Sequence, residues 1–246
     1  MADQNPPGGM PEPPPGQGAP RADVGAALSW AFDRFKSNAA GFVGLAAVVT
    51  VIYVLQGVGT TPLQNILTDC SNPQTEGQIA ACAAAFGVSA IVAITLSLVF
   101  AIVAFLAQIG IQRAGIRATQ GVAPSFAEMF TTQYLGRYIL YVIVFVILMV
   151  VGLVMCIVPG LLVIFFGQLG PYYILDKGMT VGEAAKASIE AVRRNIAPAL
   201  LMTLVNFLLI QVLGGLFWGL PTLVTLPFAV LFTAHLYRQF NQEQIV

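Results

Sequence analysis

Residues able to do chemistry are few in this sequence, and they stand far apart. His235 is the single histidine, in an apolar run beside Tyr237 and Arg238. A metal site or an acid/base pair would need carboxylates or a second imidazole near it, and that run supplies none. The expectation for His235 is therefore a helix-end position, with titration near neutral pH as its other use. Cys70, Cys82 and Cys156 are the three cysteines. A bond between Cys70 and Cys82 closes a loop of about a dozen residues, worth roughly 3 kcal/mol. Cys156 is an alternative partner, and Cys82 within AACAAAF also reads as a small packing residue. Gln108, Gln168, Asn206 and Gln211 are amides inside apolar segments. They could line a polar pathway, or bond between helices at about 1 kcal/mol each; Gln168 and Asn206 form the candidate intramembrane polar site. No glycine-rich phosphate loop, nucleophile elbow or HExxH pattern occurs. The expectation is no catalytic residue, no cofactor and no metal.

The elements that must position these residues are set by composition. The 246 residues are 57% hydrophobic and 9% charged, against about 25% charged in soluble proteins, and the mean hydropathy is +0.82. Such a chain belongs in a membrane. Formal net charge is zero, which gives no argument for nucleic acid as a partner. Residues 1–22 have no apolar segment to serve as a signal peptide. Rich in Pro and Gly, they read as a disordered cytoplasmic tail, whose Pro11-to-Pro14 spacing matches a PxxP ligand for a protein partner.

Four long stretches lack Asp, Glu, Lys and Arg. A helix crosses the roughly 30 Å hydrocarbon layer with about 20 residues. The first two stretches each hold one span, Ala39 to Val58 and Phe86 to Gly110, joined by a long outer loop. The third, Tyr138 to Leu175, would be about 57 Å long as a single helix, so it must reverse. Pro159 and Gly160 mark the turn, giving spans Tyr138 to Val158 and Gly160 to Leu175. Gly214, Gly215, Gly219 and Pro221 mark a second reversal between Ile196 to Leu213 and Phe217 to Tyr237, with a kink at Pro227. The expectation is an all-α polytopic membrane protein with a six-helix domain over residues 23–240 and a cytoplasmic C-terminal tail, 241–246.

With both termini inside, all 11 Lys and Arg residues fall on the cytoplasmic side of a bacterial inner (plasma) membrane. Only Asp69 and Glu76 charge the outer loops. GEAAKASIEAVRRN, residues 182–195, is then the clearest of three interfacial amphipathic helices. Val181, Ala185, Ile189 and Val192 share one side, and the pairs Lys186/Glu190 and Glu190/Arg194 lie i to i+4 on the other. Aligned without gaps, it matches SFAEMFTTQYLGRYI from Ser125 and GAALSWAFDRFKSNA from Gly25, superposing Ala184, Ala127 and Ala27. Each is followed by an apolar hairpin. This suggests a threefold repeat of one surface helix and two spans, which serves either as architecture or as the frame of a transport site.

The order Pro159, Gly160, Pro171, Asp176, Lys177, Gly178, Glu183, Ala184, Ser188, Arg194, Asn195 resembles the six-helix membrane domain attached to some bacterial glycerophosphodiester phosphodiesterases, and its stand-alone relatives of unknown function. With the Pro/Gly-rich head, the chain also resembles the proline- and glycine-rich transmembrane proteins of mycobacteria. The resemblance covers roughly residues 22 to 240 and implies a membrane fold. Its motifs are structural, so the phosphodiesterase activity of the fused domain is not implied. The expected role is a non-enzymatic scaffold or accessory component engaging lipids or protein partners, with a small-molecule or lipid transporter as the alternative. Orientation has a direct check. A membrane-impermeant thiol reagent applied to reduced, intact cells should label Cys70 and spare an Ala187→Cys variant's new thiol. Labelling of only the latter would overturn the assignment.

Overall fold

A computed structural model describes residues 22–71, 75–213 and 221–246. The Pro/Gly-rich tail through Arg21 and the turn glycines Gly214, Gly215 and Gly219 lie outside these residues. Among the described residues every regular element is helical: α1 Val24–Ser37, α2 Ala39–Asp69, α3 Glu76–Ala118, a 3-10 turn Phe126–Phe130, α4 Leu135–Met155, α5 Ile157–Gly167, α6 Gly170–Lys177, α7 Val181–Arg194, α8 Ile196–Phe207 continued by a π segment Leu208–Leu213, and α9 Thr222–Phe240.

Among the described residues five segments are long and apolar enough to cross a membrane: Ala39–Ile66, Glu76–Ala118, Leu135–Met155, Ile157–Lys177 and Ile196–Leu213. Their outward faces carry exposed Ile91, Leu98, Ile147, Val154, Leu200 and Leu204, as lipid contact requires. The sixth expected span, α9, is less apolar because Thr233, His235, Tyr237 and Arg238 lie along it. It is instead the most enclosed helix, packed by α1, α2, α3 and α8, with Leu231, Phe232, Ala234, Leu236 and Tyr237 wholly buried. A helix walled by protein meets side chains rather than lipid, so it can carry polar groups that find partners.

The long outer loop expected between the first two spans is helix. α2 runs on to Asp69, and α3 begins at Glu76 behind the capping box of Thr75 and Gln78. At 43 residues, α3 is about 64 Å long, twice the hydrocarbon layer. Alanine-rich GQIAACAAA favours helix, so α3 extends well ahead of the apolar span that begins near Phe86. Cys70 and Cys82 form a disulfide near the tip of this hairpin, with Cα atoms 5.8 Å apart. Cys156 is free and exposed.

The third stretch turns earlier than the Pro159–Gly160 pair implies. The chain breaks at Cys156 (φ −170°, ψ 145°) and α5 starts at Ile157, ahead of Pro159. In the first turn of a helix a proline removes an N–H that has no intrahelical acceptor, so it starts α5 rather than ending α4. Gly160 serves packing instead of turning: a Cβ on Gly152 would stand 2.7 Å from the Gly160 nitrogen. The two glycines let α4 and α5 touch backbone to backbone. The expected second surface helix is also cut short. SFAEMFTTQYLGRYI forms only the five-residue 3-10 turn, then Tyr134 takes a left-handed φ of 59° and α4 begins. Ala127 is exposed, whereas Ala27 and Ala184 are wholly buried.

The first and third of the aligned segments agree closely in structure. α1 and α7 are each 14 residues, each end at one asparagine, Asn38 (φ −126°, ψ 28°) or Asn195 (φ −128°, ψ 44°), and each lead at once into an apolar helix. Wholly buried positions coincide in register: Ala27 with Ala184, Ala31 with Ser188, Phe42 with Ala199, Leu45 with Met202. Replacing Gly152 by leucine should force α4 from α5 and destabilise the chain by about 1–3 kcal/mol. Thermal unfolding in detergent, compared with Gly136→Leu, where a Cβ meets nothing, checks this.

Candidate functional site

The basic end of the bundle, where the C-terminal ends of α3, α6 and α9 meet the start of α4, holds the densest polar chemistry. Asp176, on the last turn of α6, receives Arg238 in bidentate fashion, Nη2 to Oδ1 at 2.8 Å and Nη1 to Oδ2 at 2.9 Å. Both side chains are 8% exposed. The Tyr237 hydroxyl donates to Asp176 Oδ2 at 2.9 Å, and Arg238 Nε donates to Thr119 Oγ1 at 3.1 Å. The tail after α9 closes the cluster. Glu243 accepts from Arg238 and pairs with Lys177 at 2.6 Å, and Tyr173 donates to Asn241 at 2.9 Å. Burial pushes the Glu243 carboxyl up, but hydrogen bonds from Lys177 and Arg238 outweigh it and hold the group below the usual carboxylate range. Val246 docks too, its N–H on the Thr119 carbonyl at 3.0 Å and its main-chain oxygen accepting from Arg34.

Beside this cluster lies a cavity of about 300 Å³ lined by Arg113, Arg117, Gln120, Glu128, Gln133 and Asp176 among others. Arg113 is 6% exposed and Glu128 is 5% exposed. Glu128 pairs with Arg117, and Arg113 donates to the main-chain carbonyl of Gln133. The left-handed Tyr134 directly follows that carbonyl and turns the chain into α4. The Nε of Arg113 has no partner among the described residues.

Between α4, α5 and the underside of α7 runs a second, apolar groove of about 150 Å³, lined by Tyr141, Phe145, Leu148, Phe166, Ala185 and Ile189 among others. Its roof is the helix whose charge stood out in the sequence. Thr180 and Glu183 form the capping box that starts α7. Hydrogen bonds from the Thr180 backbone and hydroxyl hold the Glu183 carboxyl below its ordinary range. Glu190 pairs with Arg194, leaving Lys186 and Arg193 without an ion pair among the described residues.

The predicted polar site is two contacts joined by α8. Gln168 accepts from Thr203 at 3.0 Å and donates to the Phe165 carbonyl at 2.8 Å. One turn on, Asn206 donates to Thr233 at 2.8 Å, while its Oδ1 is buried without a partner among the described residues. His235 sits against the Trp30 ring, centroids 4.9 Å apart, deeper than a helix-end residue at an interface, because α1 covers it. The residues carrying the family resemblance have structural jobs. Asp176 and Lys177 knot α6 to α9, and Gly178 caps α6 at φ 63°. Ser188 bridges the α5–α6 break, donating to the Phe166 carbonyl at 2.6 Å and accepting from Leu169 N–H at 3.2 Å. Reasoning from sequence missed Arg113 as a site residue. Its only signal was its place four residues before Arg117 at the end of an apolar run.

No family model matches the chain, and no solved structure matches it. Among curated proteins it is similar to an uncharacterized protein of Mycobacterium bovis and to two uncharacterized proteins of Mycobacterium tuberculosis. Each is 27% identical over 231 residues, covering 91% of this chain and 70% of the relative.

Removing the Asp176 carboxylate should strand a buried guanidinium. Asp176→Ala should lower stability by about 3–5 kcal/mol, read by thermal unfolding. Because the folded Glu243 value is depressed, docking of the tail should be constant above the ordinary glutamate pKa of about 4.3 and fade as pH falls through the lower folded value. Protease protection of residues 241–246 across that range measures it.

Proposed function

We propose that this chain is a non-enzymatic component of the bacterial inner membrane, with six spans and both termini cytoplasmic, which holds membrane lipid against its surface helices and engages partners through residues 1–22. The observation that carries the reading is the apolar groove roofed by α7. It opens at the level where an amphipathic helix lies on the bilayer, and its lining of Phe, Leu, Val and Ile suits an acyl chain. The unpaired Lys186 and Arg193 above it suit the lipid phosphate, at about 1 kcal/mol per basic residue near an anionic surface. α9 supplies the sixth span in this account, and its enclosure explains why it need not be apolar throughout. The register shared by α1–α2 and α7–α8 supports descent from one repeated unit. So does the common order of parts in the middle copy, in spite of its shortened helix. Kinship with the membrane domain of the glycerophosphodiester phosphodiesterases belongs to the same reading. The uncharacterized mycobacterial relatives suit it and name no activity.

A small-molecule or lipid transporter is the second reading, favoured by the partnerless Asn206 Oδ1 inside the bundle. The groove offers a test of the first. Ala185→Trp should fill it, and native mass spectrometry of the purified protein should then show fewer retained phospholipids per chain. An unchanged lipid complement would overturn the lipid-holding role.

A further inference from the structure

The cavity at the basic end binds an anion: we infer that Arg113 is the floor of a site for a phosphate or carboxylate group presented from the same side as the surface helices. Charge at this end of the bundle is not fully compensated. Arg117 holds Glu128, Arg238 holds Asp176, and Glu243 is shared by Arg238 and Lys177. Arg113 is left with a neutral acceptor, the Gln133 carbonyl. Glu128 also lies within electrostatic reach of Arg113, so two guanidinium groups share that carboxylate, while Asp176, the other acid in the cavity wall, is held by Arg238. A buried charge in that state is costly unless something compensates it.

Geometry points to a ligand rather than to a protein partner. Arg113 lines the cavity while only 6% exposed, and its Nε, enclosed by protein, has no acceptor among the described residues, so the rest of the guanidinium is what a ligand would meet. The space beside it, about 300 Å³, is far more than the roughly 30 Å³ that one water fills. At its rim stand Gln120 and Gln133, both exposed, whose side-chain amides can donate to an oxyanion. A planar guanidinium below and amide donors above is the donor set that phosphate and carboxylate groups recruit. The left-handed Tyr134 keeps the Gln133 carbonyl on Arg113, which fixes the guanidinium in place. The apolar groove beneath α7 has no part in this inference, so either can fail without the other.

One headgroup chemistry has two sources, an anionic lipid or a soluble anion, and one experiment separates them. The full chain in phosphatidylcholine nanodiscs is titrated calorimetrically with inorganic phosphate and with acetate at constant ionic strength, then again in discs containing phosphatidylglycerol. Saturable binding in the first discs that vanishes in the second identifies a lipid headgroup. Binding that persists in both identifies a soluble anion. Gln120→Glu and Gln133→Glu, at exposed rim positions, should each weaken binding roughly tenfold by placing a like charge at the mouth. Arg113→Gln should abolish it. No saturable binding in phosphatidylcholine discs, or rim variants that bind as tightly as the wild type, would overturn the site whether or not Arg113→Gln folds.

Discussion

A single buried ion pair ties the chain into one body. Asp176 and Arg238 lie far apart in sequence and meet where α6 and α9 end. Two charges out of water attract strongly, yet the desolvation cost is met only when every remaining donor and acceptor finds a partner. That requirement recruits the rest: Tyr237 for the carboxylate, Thr119 for the Nε, Glu243 for the outer guanidinium edge and Lys177 for Glu243. Through Thr119 the network reaches the end of α3 and the main chain of Val246. Because these partners come from α3, α6, α9 and the tail, the core must form at this end of the bundle.

Burial follows that constraint. The wholly enclosed side chains Phe42, Ile111, Leu169, Ile174, Met202, Leu231 and Tyr237 cluster at the basic end. Beyond Ile52 and Ala93 the α2–α3 hairpin turns apolar residues outward, and the Cys70–Cys82 bond holds it near its tip. α9 can afford threonine, histidine and arginine because four helices surround it. In a membrane, polarity is tolerated where protein replaces lipid, and the central helix is the place where it does.

The surface helices take their form from the same physics. α7 hides Ala184, Ser188 and Val192 and turns Lys186, Glu190 and Arg194 outward. Its charge concentration marks the boundary between apolar groove and aqueous side. Small residues at the buried positions bring it close to α5 and α6, and Ser188 satisfies the backbone groups freed by the α5–α6 break. The groove under α7 and the cavity at Arg113 are two products of this layout, one apolar because aliphatic and aromatic side chains line it and one polar because it lies among the ends of helices.

By itself the sequence determined the membrane setting, the all-helical class, the amphipathic α7 and the helix beginnings near Ala39, Tyr138 and Ile196. Runs without charge and a 3.6-residue period are local signals that neighbouring residues cannot reverse. Turn positions were less legible. Pro159 looked like a helix end because proline breaks helices in general, and only the position of Cys156 shows that it opens one. AACAAA fell in the outer loop because about 20 residues suffice to cross the layer, while helix propensity beside a paired α2 carried α3 back to Glu76. Ser125 to Tyr134 had the amphipathic pattern but lost its helix to the left-handed turn that sets Gln133 against Arg113. The ion pair of Asp176 with Arg238, the central place of α9 and the unmatched charge of Arg113 were beyond the sequence, because each depends on which distant groups meet. Burial and electrostatic compensation are properties of proximity in space, and only the tertiary structure decides them.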